Sequence, residues 1–277
     1  MTNKLKDFLK GKLTQKEISL VPSSFDMVGS IIIFSEFPRE LAKKEKIVGD
    51  LILKNFKHIK SVFKKAKKYS GTFRTPKLKL IAGENKKETE YKENNTRLKL
   101  DVEKVYFSPR LSEERKRIFG QVKNGESILV MFSGSGIYPI VIAKNSKAKS
   151  IYGIEINPMA HEYALENVKL NNLENKIKLF LGDVKKIIPS INKKFDRIVM
   201  PLPKEAEDFL DLALSKIKKD GIINLYNFAE EGKYEGIKQI IKQECEKSGK
   251  KCRVLNIVKC GQFSPRVNRI CIDFLVK

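Results

Sequence analysis

One stretch constrains the chain more than any other: Ser127 to Asn157, SILVMFSGSGIYPIVIAKNSKAKSIYGIEIN. An apolar run from Ser127 to Met131 leads into a small-residue turn, Phe132-Ser133-Gly134-Ser135-Gly136. A helical run follows, then a second apolar run, Ser150 to Ile154, that closes on Glu155. Strand, glycine turn, helix and strand ending in a carboxylate compose one βαβ unit. The glycines let backbone approach a ligand at the carboxyl edge of a parallel sheet. Gly136 and Glu155 are 19 residues apart, near the ~20 expected for an acid that hydrogen-bonds a ribose hydroxyl. The spacing fits any nucleoside cofactor, and an ordinary αβ turn would also carry such glycines.

The detail separates the cofactor classes. A dinucleotide fingerprint places a third small residue where this chain has Pro139, so the close helix contact it needs is missing. The FSGSG turn followed by IEINP instead resembles the S-adenosylmethionine site of class I methyltransferases. Leu181-Gly182-Asp183 closes a third apolar run, with a carboxylate where that fold holds the adenine amino group. A fourth run, Phe195 to Met200, ends in Pro201-Leu202-Pro203.

Length and charge bound the rest. With 277 residues and 41% apolar content, the chain can bury a core in one large or two small domains. No apolar stretch nears the ~18 residues of a membrane span, and the start, MTNKLKDFLKGKLTQKE, lacks the apolar region of a secretory signal. A cytoplasmic location is expected. All four cysteines (Cys245, Cys252, Cys260, Cys271) lie in the last 33 residues without a C-x-x-C; reduced thiols and no metal are expected. Lysine and arginine (56) outnumber aspartate and glutamate (33), a net charge of +23. Such a field concentrates a polyanion. With no aromatic-faced amphipathic helix to suit a membrane, RNA is the favoured partner.

In chain order, residues 1–20 read as a basic N-terminal arm, a short helix or a loose segment. Phe25 to Phe37 reads as a strand with a bulge at Gly29, and Pro38 to Asn55 as a helix with apolar Leu41, Ile47, Val48, Leu51 and Ile52. A lysine run, Lys64-Lys65-Ala66-Lys67-Lys68, precedes Gly71-Thr72-Phe73-Arg74 and an alternating segment through Leu78, Leu80 and Ala82. Residues 84–95 read as a loop or hairpin tip, and Thr96 to Val102 as a half-buried strand. Residues 21–104 thus form a small α/β domain ahead of a methyltransferase domain over 105–277. In the latter, Ser112 is placed to cap a helix. A helix over 205–218, a strand over 222–228, a helix over 234–247 and two closing strands complete the pattern.

With GTFR upstream, VYFSPRLSEERKR before the glycine turn, and MFSGSGIYPIVIAK, IEINP, LGD and MPLPK after it, the chain resembles the archaeal and eukaryotic tRNA (guanine(37)-N1)-methyltransferases. The likeness covers roughly residues 21–277. It implies an α/β protein: a class I, Rossmann-like domain dependent on S-adenosylmethionine, preceded by a small RNA-binding domain. Arg74 and Glu114 match the family's catalytic pair. Guanine N1 is a poor nucleophile until its proton leaves, so a carboxylate accepting it is a general base. A guanidinium beside O6 would stabilise the charge that develops there. An exposed glutamate is a weak base, so Glu114 should be at least partly buried.

By the same resemblance Tyr106, Arg110, Phe132, Gly134, Gly136, Glu155, Ile156, Asn157, Asp183 and Pro201 would line the donor. Arg115, Pro201, Leu202 and Pro203 would meet the substrate. The bland accounts are a core tyrosine, phosphate-binding arginines, and helix-capping or turn-forming acids; His161 reads as a surface residue.

Two departures matter. The family's usual N-L-P is Pro201-Leu202-Pro203 here, a form resembling an archaeal branch that also methylates C7 of 4-demethylwyosine in wyosine biosynthesis. Many archaeal members also carry an additional N-terminal domain that reads the tRNA elbow. The residues before the α/β unit are too few for one, and the positive field is expected to substitute. A monomer is expected. The rivals are an aminocarboxypropyl transferase using the same donor, a non-catalytic RNA-binding protein, and a nicotinamide dehydrogenase.

Overall fold

Contacts within the folded chain divide it into two units, Met1–Glu93 with Arg97–Pro109, and Asn94–Thr96 with Arg110–Lys277. The structure, a computed structural model, describes residues 2–71 and 73–277, with side chains outside 2–5 and 67–70. Thr72 of the GTFR segment and the side chains of Lys67 and Lys68 lie outside the described residues.

The first unit opens with α1 (Thr2–Leu9) and α2 (Gln15–Leu20). Thr14 and Glu17 close a reciprocal capping box on α2: Thr14 Oγ1 accepts from Glu17 N at 3.2 Å, and Glu17 Oε2 accepts from Thr14 N at 2.8 Å. Leu9, Leu13, Ile18 and Val21 are buried with Ile32, Val48 and Ile52, while Lys10, Lys12 and Lys16 stay outside. The basic arm expected over 1–20, a short helix or a loose segment, is therefore corrected: Leu9, Leu13 and Ile18 belong to the unit's core.

The strand expected over 25–37 is instead a hairpin, β1 (Asp26–Val28) and β2 (Ile31–Phe34). It turns at Gly29, whose φ is +55° and where a Cβ would come within 2.1 Å of Glu90 O, so only glycine fits. A 3₁₀ turn (Arg39–Lys44) and α3 (Glu45–Asn55) cross to β3 (Ser61–Ser70), which runs parallel to β2. β4 (Thr75–Gly83) returns beside it, giving the order β1-β2-β3-β4. The segment expected as a loop over 84–95 carries β5 (Glu88–Glu93), paired with β6 (Thr96–Asp101). Asn94 and Asn95 turn that hairpin at φ +43° and +59°, a conformation asparagine tolerates.

In the second unit α4 (Ser112–Gly120) follows a 3₁₀ turn at Pro109–Leu111. Ser112 is its first helical residue and Leu111 holds the cap position without a side-chain bond, which corrects the expected cap. Then come β7 (Ser127–Met131), α5 (Ile137–Asn145), β8 (Ser150–Glu155), α6 (Pro158–Leu170), β9 (Ile177–Leu181), α7 (Val184–Ser190) and β10 (Phe195–Met200). After a 3₁₀ turn (Ala206–Phe209) follow α8 (Leu210–Lys216), β11 (Ile217–Glu230), α9 (Glu235–Lys247), β12 (Cys252–Ser264) and β13 (Val267–Val276).

The helix expected over 205–218 is shorter than its pattern. Glu205 takes a left-handed φ of +68°, and Ile217 already pairs with Phe195 as strand. The sheet order is β12-β13-β11-β10-β7-β8-β9; β13 alone runs against its neighbours. Leu129, Ile154, Ile198, Ile223, Ile272 and Phe274 pack in its core, each such side chain worth about 1.5–3 kcal/mol when buried. Reduced cysteines were the expectation, but Cys245 on α9 and Cys252 on β12 form a disulfide, with Cα atoms 6.1 Å apart. The helix-to-strand reversal brings together two residues whose linear spacing carries no signal. Among the described residues, no helix is long and apolar enough to cross a membrane.

Candidate active site

Phe132 to Gly136 turns sharply because three of its residues take left-handed backbone: Phe132 (φ +61°), Gly134 (+57°) and Gly136 (+84°). For a bulky phenylalanine this is strained, and such residues persist where surrounding structure over-determines them. The Phe132 ring meets Phe209 edge-on at 5.1 Å. A Cβ on Gly136 would press on Ala164 at 3.2 Å, which keeps the start of α5 close to α6.

The turn is tied to the next strand. Ser133 N donates to Ile154 O at 2.8 Å, and Gly134 N donates to Glu155 Oε2 at 2.7 Å. Asn157 N donates to Glu155 Oε1 at 2.8 Å. Burial pushes the Glu155 carboxyl above its ordinary range, against the backbone N–H groups of Asn157, Gly134 and Ile156.

Pairing of Met131 with Ile154 and of Glu155 with Leu181 brings the ends of β7, β8 and β9 to one sheet edge. Two apolar side chains stand open there, Ile156 at 42% and Leu181 at 49% exposure. Leu181 carries no role in the sequence reading; its exposure at a strand end is what marks it. Asp183 Oδ1 caps α7, accepting from Lys185 N at 2.9 Å, and Asn157 Oδ1 caps α6, accepting from Met159 N at 3.0 Å. Both are thus helix caps, as the bland account has it for Asp183, and Asn157 is buried. The Ser133 and Ser135 hydroxyls are buried without a hydrogen-bond partner. A half-buried acid, orphaned hydroxyls and two open apolar surfaces fit a nucleoside with a ribose diol. Pro201 and Leu202 follow β10 half-buried, and Pro203 is buried.

Glu114 lies in the first turn of α4 and is 5% exposed. Both its oxygens are engaged. Arg117 Nε donates to Oε2 at 2.7 Å and Nη2 to Oε1 at 2.8 Å; Tyr226 OH donates to Oε1 at 2.6 Å and accepts from Tyr138 OH at 3.1 Å. Arg117 Nη1 also donates to Asp273 Oδ2, whose carboxylate accepts from Asn224 at 2.6 Å and Gln121 at 3.0 Å. Arg197, wholly buried, continues the network through Gln121, Asn224 and Glu126.

Burial would lower the Arg117 guanidinium, but its bonds to Glu114 and Asp273 hold it above its usual range. Burial likewise pushes Asp273 up, and Arg117, Asn224 and Gln121 together hold it below the usual carboxylate value. The Tyr138 and Tyr226 hydroxyls are pushed up, mainly by burial.

Of the remaining residues read from the sequence, Arg115 is 1% exposed, a buried guanidinium and not a surface one. Arg110 is exposed on the 3₁₀ turn before α4. Arg74 and Tyr106 belong to the first unit. Arg74 sits in the turn between β3 and β4 at φ +49°, with its N–H donated to Gly71 O at 3.1 Å. Arg117, Tyr226 and Asp273 were missed. Glu114 and Arg117 are at the i,i+3 spacing of a helical ion pair, a readable signal; Tyr226 and Asp273 offer none.

A parallel sheet with one reversed strand, a glycine turn after one strand and acids closing the next two define a class I, Rossmann-like methyltransferase fold. The chain belongs to the TRM5/TYW2 methyltransferase family: that domain matches residues 89–255, and a TYW2 N-terminal domain matches residues 5–86.

The tRNA (guanine(37)-N(1))-methyltransferase Trm5b of Pyrococcus abyssi is 43% identical over 257 residues, covering 92% of this chain and 76% of that protein. Its crystal structure superposes with a TM-score of 0.86 at 41% identity, over 96% of this chain and 78% of the other. The tRNA (guanine(37)-N(1))/4-demethylwyosine(37)-methyltransferase Taw22 of Nanoarchaeum equitans is 38% identical, covering 79% of this chain and 88% of that one. A tRNA(Phe) (4-demethylwyosine(37)-C(7)) aminocarboxypropyltransferase of Methanocaldococcus jannaschii is 31% identical over 250 residues, 90% of this chain and 96% of that one. The crystal structure of M. jannaschii TYW2 in complex with AdoMet has a TM-score of 0.70 at 27% identity, covering 92% and 99% of the two chains.

Proposed function

We propose that the chain methylates N1 of guanine 37 in tRNA, with S-adenosylmethionine as donor. The observation that carries this reading is Glu114: a buried carboxylate, fixed by Tyr226 and Arg117, on the unit that also holds the glycine turn. Gly134, Gly136, Glu155, Ile156, Leu181 and Asp183 would hold the donor, with Glu155 on the ribose hydroxyls and Asp183 near the adenine amino group. Bound there, the donor supplies an electrophilic methyl on a sulfonium. Glu114 would accept the N1 proton while N1 takes the methyl carbon and the carbon–sulfur bond breaks, releasing the donor as its neutral thioether, and Arg74 would stabilise the charge growing on O6. Pro201-Leu202-Pro203, with Tyr106, Arg110 and Arg115, would border the base. The first unit and the net charge of +23 would hold the tRNA, with steep salt dependence. The reading takes the enzyme as a cytoplasmic monomer.

A second activity, methylation of C7 of 4-demethylwyosine, is supported by Pro201, where the family usually has asparagine, and by the likeness to Taw22. Aminocarboxypropyl transfer is the rival, favoured by the TYW2-type N-terminal match. It has little need of a base for the guanine N1 proton, so Arg74 with Glu114 argues against it. Incubation with labelled donor and unmodified tRNA, followed by nucleoside mass analysis, tests the reading. N1-methylguanosine is expected; an aminocarboxypropyl adduct or no product overturns it. Pro201→Asn should change the ratio of N1 to C7 products, and an unchanged ratio removes the role given to Pro201.

A further inference from the structure

β11 is longer than the strand it follows. Leu225 pairs with Met200, the last residue of β10, and β11 continues to Glu230, about 16 Å further at ~3.3 Å per residue. β13 pairs with this overhang through Asn227↔Ile270, Phe228↔Arg269 and Glu230↔Val267, and β12 follows to Ser264↔Val267. A three-stranded ribbon therefore stands past the carboxyl edge, on the side where Glu155 and the glycine turn lie. Asn227 Nδ2 donates to Glu207 at 3.1 Å, tying the ribbon to the segment after Pro201-Leu202-Pro203.

Strand alternation sets which face the ribbon presents. Asn224, Tyr226 and Phe228 share one face of β11, opposite Asp273, Cys271 and Arg269 on β13. The first two rungs belong to the network around Glu114: Asn224 bonds Asp273, and Tyr226 bonds Glu114. The third rung, one step further out, is a stack. Phe228 lies 4.1 Å centroid to centroid from Phe263 at an interplanar angle of 34°, and the Arg269 guanidinium sits 5.6 Å from the Phe228 ring. Phe263 is 64% exposed, beside Pro265 and exposed Arg266 at the hairpin tip.

From this placement, and resting on the RNA methylation proposed above, we infer that Phe263 is a stacking platform for the unpaired nucleobase flanking the target purine. Every base offers a π-face, and an exposed aromatic ring, here stacked on Phe228 with the Arg269 guanidinium over that second ring, binds it without reading sequence. The cations suit the adjoining phosphate. One ring is too small to seat a protein partner, whose interface needs roughly 1,200 Å² or more, and a net charge of +23 repels a second copy.

The test is equilibrium binding of the full chain to anticodon stem-loop RNAs carrying 2-aminopurine at each loop position beside the target. One position should report stacking on the wild-type protein. Phe263→Ala should weaken binding between about 5-fold and 150-fold and raise KM for RNA with little change in kcat, and Phe263→Tyr should restore both. An abasic residue at the reporting position should erase the difference between wild type and Phe263→Ala. Equal binding by Phe263→Ala, a penalty that survives on abasic RNA, or a change of oligomeric state instead would overturn the inference. Binding is read without methyl transfer, so wild-type protein that binds but transfers nothing defeats the proposed function alone. Transfer with an indifferent Phe263 defeats the stack alone.

Discussion

At the edge proposed to hold the donor the hydrogen-bonding groups come from one stretch of chain, Phe132 to Lys185, and most of the bonds are from backbone N–H groups to carboxylates. Around Glu114 they come from everywhere: Tyr226 is 112 positions away, and Asp273 is 156 positions from the arginine it shares with Glu114. The first arrangement is a set of separate caps and turns, each satisfied locally. The second is communal, since Arg117 serves two buried carboxylates and Asp273 accepts from Arg117, Asn224 and Gln121. Changes at the donor edge should therefore act mainly on affinity, whereas changes around Glu114 should act on chemistry and stability together.

The largest expected effect is Glu114→Gln. Loss of the base should lower kcat by about 10²–10⁴ while donor affinity by calorimetry stays within about twofold; an equal loss of donor binding would merge the two regions. Next is Arg117→Met, which strands Glu114 and Asp273 as buried unpaired charges and should cost about 3–5 kcal/mol in urea unfolding.

Its pH dependence has a definite sign. The folded Asp273 value is depressed, so its contribution is present above the unfolded value of about 3.9 and lost as pH falls through the lower folded value. Without Arg117 the folded value should rise, so the stability deficit of Arg117→Met should be largest near neutral pH and shrink as pH falls and Asp273 takes up its proton, read by urea unfolding at a series of pH values. A deficit that does not change with pH would mean Asn224 and Gln121 suffice to hold the value down.

Glu155→Ala should weaken donor binding about 10-fold to 100-fold, the worth of charge-assisted hydrogen bonds, with a smaller stability loss than Arg117→Met. A larger loss would show that the glycine turn is as communal as the base. The smallest effect is Asp183→Ala, about 1 kcal/mol for the cap of α7, read by thermal melting without donor.

The legibility of the sequence follows the same division. The βαβ unit and the acids closing β8 and β9 are visible because strand, turn and helix signals are local. The errors fall where tertiary contact overrules local pattern. Lysine-rich α1 and α2 look detached until Leu9, Leu13 and Ile18 find Ile52 and Val48. Gly29 looks like a bulge until Glu90 approaches it from another strand. Cys245 and Cys252 pair only because α9 reverses into β12.

By itself, the order of residues determined the strand–glycine turn–helix–strand unit, because 3.6- and 2-residue periodicities and glycine φ freedom act over a few positions. Only the folded chain decided what surrounds Glu114 and where the β11–β13 ribbon ends. A carboxylate's partners and a strand's overhang depend on register across a sheet, which joins residues over a hundred positions apart and leaves no periodic mark.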